Sequence, residues 1–245
     1  MNQPEHNPRM QRPETGPTLD RVPWKIRDVA IATTVPFGIV AIALAASQFY
    51  DVGARNQAGE AIPPWSIFIF QGILIGLVWV FGIRKYKVPW RTLGLRPAIG
   101  RGVMWLPFAA LAVSLAVTAA YAYIVTLLGV DILAPDQEIS GDLLGTGLTR
   151  LLNTLVIGIW GPLTEEIFFR GFVLAAMLPV MGPLRATLLS AAVFALAHYN
   201  LGTLLPIFVT GVILAWLYIK TRSLWPPITA HAAQNLLALV VTSQA

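Results

Sequence analysis

Seven apolar runs, each close to or beyond the ~18 residues that carry a helix across a bilayer, restrict what this chain can fold into. They lie near 29–49, 65–83, 102–128, 148–180, 184–199, 204–219 and 226–241. In hydrocarbon every backbone N–H and C=O must find a partner inside the protein, and runs of this length do so only as helices. The expected fold is therefore all-α, a polytopic transmembrane helical bundle of about seven spans. One membrane domain should occupy 28–245, after a polar tail at 1–27 rich in Pro, Asn, Gln and Arg that reads as disordered. Composition agrees: 56% of residues are hydrophobic and only 12% charged, where a soluble domain carries about 25% charged residues. The first apolar run starts too far from the amino terminus, and continues too long, for a signal peptide. The chain has no cysteine, so disulfides and thiolate metal ligands are excluded.

The charges that remain set an orientation. Arg84, Lys85, Lys87, Arg91, Arg96 and Arg101 crowd one loop that holds no acid. Basic loops stay in the cytoplasm. Lys220 and Arg222 close the 204–219 run in the same way, while Asp131, Asp136, Glu138 and Asp142 fill a loop without bases. The expectation is an integral protein of the plasma membrane with its amino terminus in the cytoplasm and its carboxyl terminus outside. The net charge of +5 is then explained by cytoplasmic loops. The lipid bilayer is the expected partner, and nucleic acid is not.

Against this apolar background a few polar residues stand out. Glu165, Glu166 and Arg170 lie inside the 148–180 run, and the two glutamates are the only acids after Asp142. Charge at that depth costs several kcal/mol and is rare unless paired or functional. On a helix Glu166 and Arg170 are four apart and share a face, whereas Glu165 points roughly 100° away. Glu166 and Arg170 should therefore form a structural pair, leaving the Glu165 carboxylate without a local cation. Gly161-Pro162 should kink or break the helix just before them, freeing the Gly158 carbonyl. His6 belongs to the tail. His198 follows Phe194 by one turn, and His231 precedes Asn235 by one turn. Any one of these could be a hydrogen bond between helices. Yet every acid and imidazole of the last hundred residues falls into one of three short motifs on separate helices. A buried polar site requires that economy, and interhelical hydrogen bonding does not.

Glu165-Glu166-x-x-x-Arg170, Phe194-x-x-x-His198 and His231-x-x-x-Asn235, in that order, resemble the three motifs of the CPBP intramembrane proteases. That family comprises the CAAX prenyl endopeptidases of eukaryotes and the bacterial bacteriocin-processing and immunity proteins, also called Abi. The resemblance covers about 148–241, and Thr92-Leu93-Gly94-Leu95-Arg96 is similar to a short segment often found upstream. It implies an intramembrane endopeptidase that hydrolyses a peptide bond of a membrane- or lipid-anchored peptide or protein substrate. Glu165 would be the base for the attacking water, His198 would hold that water, and His231 with Asn235 would donate to the oxyanion. Glu166, Arg170 and Phe194 would support them. No cofactor is favoured; the alternative is zinc held by Glu165, His198 and His231, although the His-Glu-x-x-His helix of zincins is absent. A non-catalytic scaffold or immunity protein, and a transporter, are the other function classes; no internal repeat supports the latter. On straight helices His198 would lie about 20 Å and His231 about 6 Å from the cytoplasmic ends of their spans, so tilted or broken helices must bring them together.

Overall fold

One helical run of 50 residues, Gly147–Leu196, passes through the middle of the molecule, and the other helices pack around it. The computed structural model describes residues 21–47, 63–98, 100, 103–135 and 144–242. His6, Arg101, Asp136, Glu138, Asp142 and the tail up to residue 20 lie outside the described residues. In chain order the helices are α1 (Ile26–Ser47), α2 (Pro64–Arg84), α3 (Leu106–Leu128), α4 (Gly147–Leu196), α5 (Leu204–Thr221) and α6 (Trp225–Thr242). No strand occurs among the described residues, so the all-α class holds. By length and mean hydropathy α2, α3, α4 and α5 can each cross a membrane. The chain is an integral membrane protein. Its outward surface is that of a chain solvated by lipid: on α3, for example, Phe108, Val113, Tyr123 and Leu127 are all exposed.

The α4 run has two arms. At Gly182 the backbone takes φ 75° and ψ 168°, a conformation open to glycine and costly to other residues. Pro183 follows and cannot extend the turn before it. Taken as two arms, α4 gives seven long helical segments among the described residues, one over each apolar run. The break expected at Gly161-Pro162 does not occur. Gly161–Glu166 is α-helical and continuous with what precedes it. The physical reason is a π-helical segment, Val156–Trp160, just before it. There the Gly161 N–H reaches back five residues to the Val156 carbonyl. The widened turn absorbs the donor and the space that Pro162 would otherwise disrupt. A second π segment, Ile167–Leu174, follows the glutamates, and every residue in it is buried.

The basic segment after α2 is docked. Gly94 has φ 102°, and a Cβ there would lie 2.7 Å from the Tyr218 ring. This close approach lets the Leu224 N–H donate to the Gly94 carbonyl at 2.9 Å and the Tyr218 hydroxyl donate to the Leu93 carbonyl at 3.2 Å. The Ser223 hydroxyl donates to the Arg96 carbonyl at 2.6 Å, and Arg96 Nε donates to the Arg222 carbonyl at 2.9 Å. The segment resembling the upstream family pattern is thus clamped to the α5–α6 turn, gathering both basic clusters at one end of the bundle. At that end Asp28, ahead of the apolar run of α1, accepts Lys85 Nζ and the Tyr86 hydroxyl, each at 2.5 Å. Burial alone would raise the Asp28 carboxyl, but the bonds from Lys85 and Tyr86 outweigh it and hold the group at about 2.

This docking also removes the difficulty over depth. A Cβ on Gly171 would lie 3.0 Å from the Leu93 carbonyl and 3.2 Å from Leu224. The α5–α6 turn therefore meets α4 at Gly171, well before the Gly182 break. Glu166 is five residues above Gly171 and His231 seven beyond Leu224. The returning arm of α4 packs back on the first, with the Phe169 and Phe194 rings 5.1 Å apart. This brings His198, sixteen residues after Gly182, level with Glu166, sixteen before it. All three therefore stand about 8–10 Å from that level.

Candidate active site

Glu166 is the anchor of the site. It is fully buried, and its Oε1 accepts from Arg170 Nη1 at 2.7 Å, the i,i+4 pair expected from spacing. Two features were not expected. Arg170 lies 4.3 Å over the Phe194 ring and donates from Nη2 to the Gly211 carbonyl at 3.3 Å, tying both arms of α4 to α5. The same Glu166 Oε1 also meets His231 Nδ1 at 2.9 Å, so α4 positions the imidazole of α6. A glutamate held by an arginine is ionised and can only accept. His231 Nδ1 must then carry the proton, which turns Nε2 towards Glu165 Oε2 at 3.8 Å.

Glu165 is partly buried and is held from the opposite side by α2. Gln71 Nε2 donates to its Oε1 at 2.9 Å, and the Gln71 carbonyl oxygen receives the Thr164 hydroxyl. Sequence reasoning missed Gln71. Its signal was a lone amide in the apolar run of α2, where lipid offers no partner and another helix must. His198 lies just beyond the second arm of α4, and its Nδ1 is 2.9 Å from the Phe194 carbonyl. A carbonyl cannot donate, so this nitrogen also carries its proton and leaves Nε2 free. The Phe194 ring stands edge-on to both imidazoles, with centroids 4.8 Å from His198 and 5.7 Å from His231. Phe194 is thus the hub that sets the spacing of the histidines.

Asn235 has a partner that its spacing did not indicate. Its Nδ2 donates to the Ile157 carbonyl at 3.1 Å, inside the first π segment of α4. One of its two N–H bonds is therefore committed to the fold, and it does not simply stand beside His231 as a pair of donors. Glu165, Glu166, Arg170, Phe194 and His231 form one contiguous cluster; His198 joins it through Phe194, and Asn235 through the π segment. Among the described residues no three His, Asp or Glu side chains group as a metal site. The donors facing inward are the Glu165 carboxylate and the Nε2 atoms of His198 and His231.

Two cavities meet at this cluster. A cavity of about 370 Å³ is lined by Gln71, Glu165, His198, His231, Gln234 and Asn235, among others. On the other side of Glu165 and His198 lies a smaller apolar cavity of about 110 Å³, bounded by Phe37, Phe70, Leu74, Phe168 and Tyr199. Phe37 also borders an apolar groove of about 360 Å³ between α1 and α4, lined by Val29, Met177, Val193 and Leu196. Glu165 and His198 therefore stand between a larger chamber that holds the polar cluster and a smaller apolar one. The arrangement offers a carboxylate and two imidazole nitrogens as proton acceptors, backed by a buried ion pair, at the boundary between the two.

A family model described as Type II CAAX prenyl endopeptidase Rce1-like matches residues 147–237. The chain is 27% identical over 181 residues to the protein named "Putative membrane peptidase YdiL" of Bacillus subtilis, covering 72% of this chain and 70% of that one. It is 30% identical over 127 residues to the UPF0177 protein YxdF of Lactococcus lactis subsp. lactis, covering 49% of this chain and 68% of that one. No solved structure matches.

Proposed function

We propose, from the premise that this chain belongs to the CPBP family of membrane peptidases with its Rce1-like CAAX prenyl endopeptidase members, that it hydrolyses a peptide bond with a water activated at Glu165. The observation that carries the reading is the facing pair Glu165 Oε2 and His231 Nε2, 3.8 Å apart. Both atoms are acceptors when Glu165 is ionised and His231 is neutral. Two acceptors at that distance call for a proton source between them, and a water satisfies both by donating one O–H to each. Its lone pair is then free to attack a carbonyl carbon. His198 Nε2 borders the same cavity and steadies the water from the side of Phe194.

In the reaction the water oxygen bonds to the scissile carbonyl carbon as Glu165 takes one proton. The carbonyl oxygen becomes an oxyanion, which the second N–H of Asn235 can meet. The C–N bond then breaks, and Glu165 returns its proton to the leaving amine. Glu166 and Arg170 touch neither water nor substrate; they hold His231 in the tautomer this step requires. Gln71 fixes the Glu165 carboxylate so that Oε2 faces His231. Should zinc bind here, Glu165 and the two Nε2 atoms would be its ligands, and it would supply a polarised water.

The substrate is a peptide carried on a lipid or an apolar anchor. The groove between α1 and α4 supports this, since it leads along Phe37 to the apolar face of Glu165 and His198. The orientation that accords with the clustered bases is seven crossings in the plasma membrane with the amino terminus in the cytoplasm. The test is turnover of one peptide with and without a farnesyl or acyl chain, by protein in lipid nanodiscs, with Glu165→Gln as the blank. Turnover of the anchored form alone is expected. Equal turnover of both forms would remove the anchoring claim, and turnover that persists in the blank would remove the mechanism.

A further inference from the structure

Next to Asn235, α6 brings a second amide to the large cavity. Gln234 is adjacent to Asn235 and lines the same cavity as His231 and Asn235. Its Oε1 accepts the hydroxyl of Ser114, from α3, at 2.9 Å. Ser114 is 2% exposed, and its oxygen lies 2.6 Å from the hydroxyl of Thr210, from α5. A serine hydroxyl has one proton. With that proton given to Gln234 Oε1, Thr210 must donate to Ser114. Residues of α3, α5 and α6 thus form one hydrogen-bonded chain that ends on the Gln234 carbonyl oxygen. The carbonyl end is held inside the wall, and the NH₂ end is left for the cavity.

Other donors on the cavity wall are already engaged: the Thr118 hydroxyl donates to the Ser114 carbonyl and one Gln71 N–H to Glu165. No lysine or arginine lines it among the described residues. Both imidazoles spend their N–H protons on Glu166 and the Phe194 carbonyl, so each presents an acceptor. One N–H of Asn235 is spent on Ile157. A peptide bound here brings main-chain carbonyls that each need a donor once water is displaced. A helical segment satisfies its own carbonyls and an extended one does not.

We infer that the Ser114–Thr210–Gln234 chain is a substrate subsite, in which the Gln234 amide N–H donates to a main-chain carbonyl of an extended, unwound peptide next to the scissile bond. The inference rests on the peptidase reading and goes beyond it by naming what the α6 wall recognises. Gln234 touches substrate, and Ser114 is a positioning residue that acts through it.

The test is made in the Glu165→Gln background, where bound peptide is not consumed. Affinity for a fluorescein-labelled, S-farnesylated peptide in lipid nanodiscs is measured for that protein and for the same protein carrying Gln234→Met, Gln234→Glu, Ser114→Ala, or Ser114→Ala with Gln234→Met. Losing a donor to a buried carbonyl should weaken binding by about 5- to 100-fold. Gln234→Glu keeps the acceptor for Ser114 and lacks the donor, so it should weaken binding as Gln234→Met does even if the latter folds poorly. Ser114→Ala should weaken binding less, and the double variant should match Gln234→Met alone. In the otherwise native protein Gln234→Glu should raise KM by a similar factor and leave kcat within about threefold. Unchanged affinity in both Gln234 variants would overturn the subsite, as would additive losses in the double variant. No binding by any protein, including the background, would overturn it together with the anchored-peptide reading.

Discussion

Replacing Glu166 by glutamine should damage the protein in a way that the same change at Glu165 does not. Glu166 is fully enclosed, and one of its oxygens serves both Arg170 at 2.7 Å and His231 at 2.9 Å. The amide removes the negative charge while Arg170, itself 1% exposed, remains positive in the same place. Breaking one partner of a buried pair costs about 3–5 kcal/mol, because the other is left uncompensated. For a domain of this size each kcal/mol moves Tm by about 2–4 °C, so Glu166→Gln should lose about 6–20 °C. At Glu165 the change keeps the acceptor for Gln71 and adds a donor towards His231 Nε2. Its cost should stay under about 1 kcal/mol, or about 4 °C. Thermal unfolding of the purified proteins in one detergent measures both. Equal losses, or a larger loss at Glu165, would refute the division of the two carboxylates into a structural and a reacting one.

Three further outcomes follow from the structure. Asp28→Asn should cost about 1–3 kcal/mol near neutral pH, where the ionised carboxylate holds Lys85 and Tyr86. The Asp28 carboxyl sits below its ordinary 3.8, so its contribution is complete above about pH 4 and fades as pH falls through about 2. Unfolding midpoints of wild type and variant should converge there. Gly94→Ala should destabilise by more than about 1 kcal/mol in the same unfolding assay, since its φ of 102° and the Tyr218 ring 2.7 Å from the new methyl both oppose it. Because the chain lacks cysteine, Arg91→Cys and Ile132→Cys give clean single labels; an impermeant maleimide applied from one side of sealed vesicles should reach only one of them.

The parts of this site readable from sequence were the local ones. Glu166 and Arg170 are four apart on one helix, and helical geometry alone pairs them. The three motifs announced their roles by holding every acid and imidazole of the last hundred residues. The Gln71 contact with Glu165 spans 94 residues and the Asp28 contact with Lys85 spans 57, and no spacing rule reaches that far. The helix stays unbroken at Pro162 for a different reason. The rule that proline breaks a helix presumes i→i+4 bonding, and the π segment before it relaxes that condition. The Asn235 contact with the Ile157 carbonyl spans 78 residues and lay equally beyond any spacing rule. The depth mismatch between the histidines arose from measuring each from its own helix start, whereas the α5–α6 turn crosses α4 at Gly171.

The most direct measurement is cleavage of an anchored peptide in water enriched in ¹⁸O, by wild type and by Glu165→Gln, with products read by mass spectrometry. A positioned base contributes about 10²–10⁴ in rate. The expected result is one ¹⁸O in each new carboxylate from wild type, and a fall of at least about 10²-fold in Glu165→Gln with Tm nearly unchanged. Cleavage by Glu165→Gln at close to the wild-type rate would contradict the assignment of Glu165 as the group that activates the water.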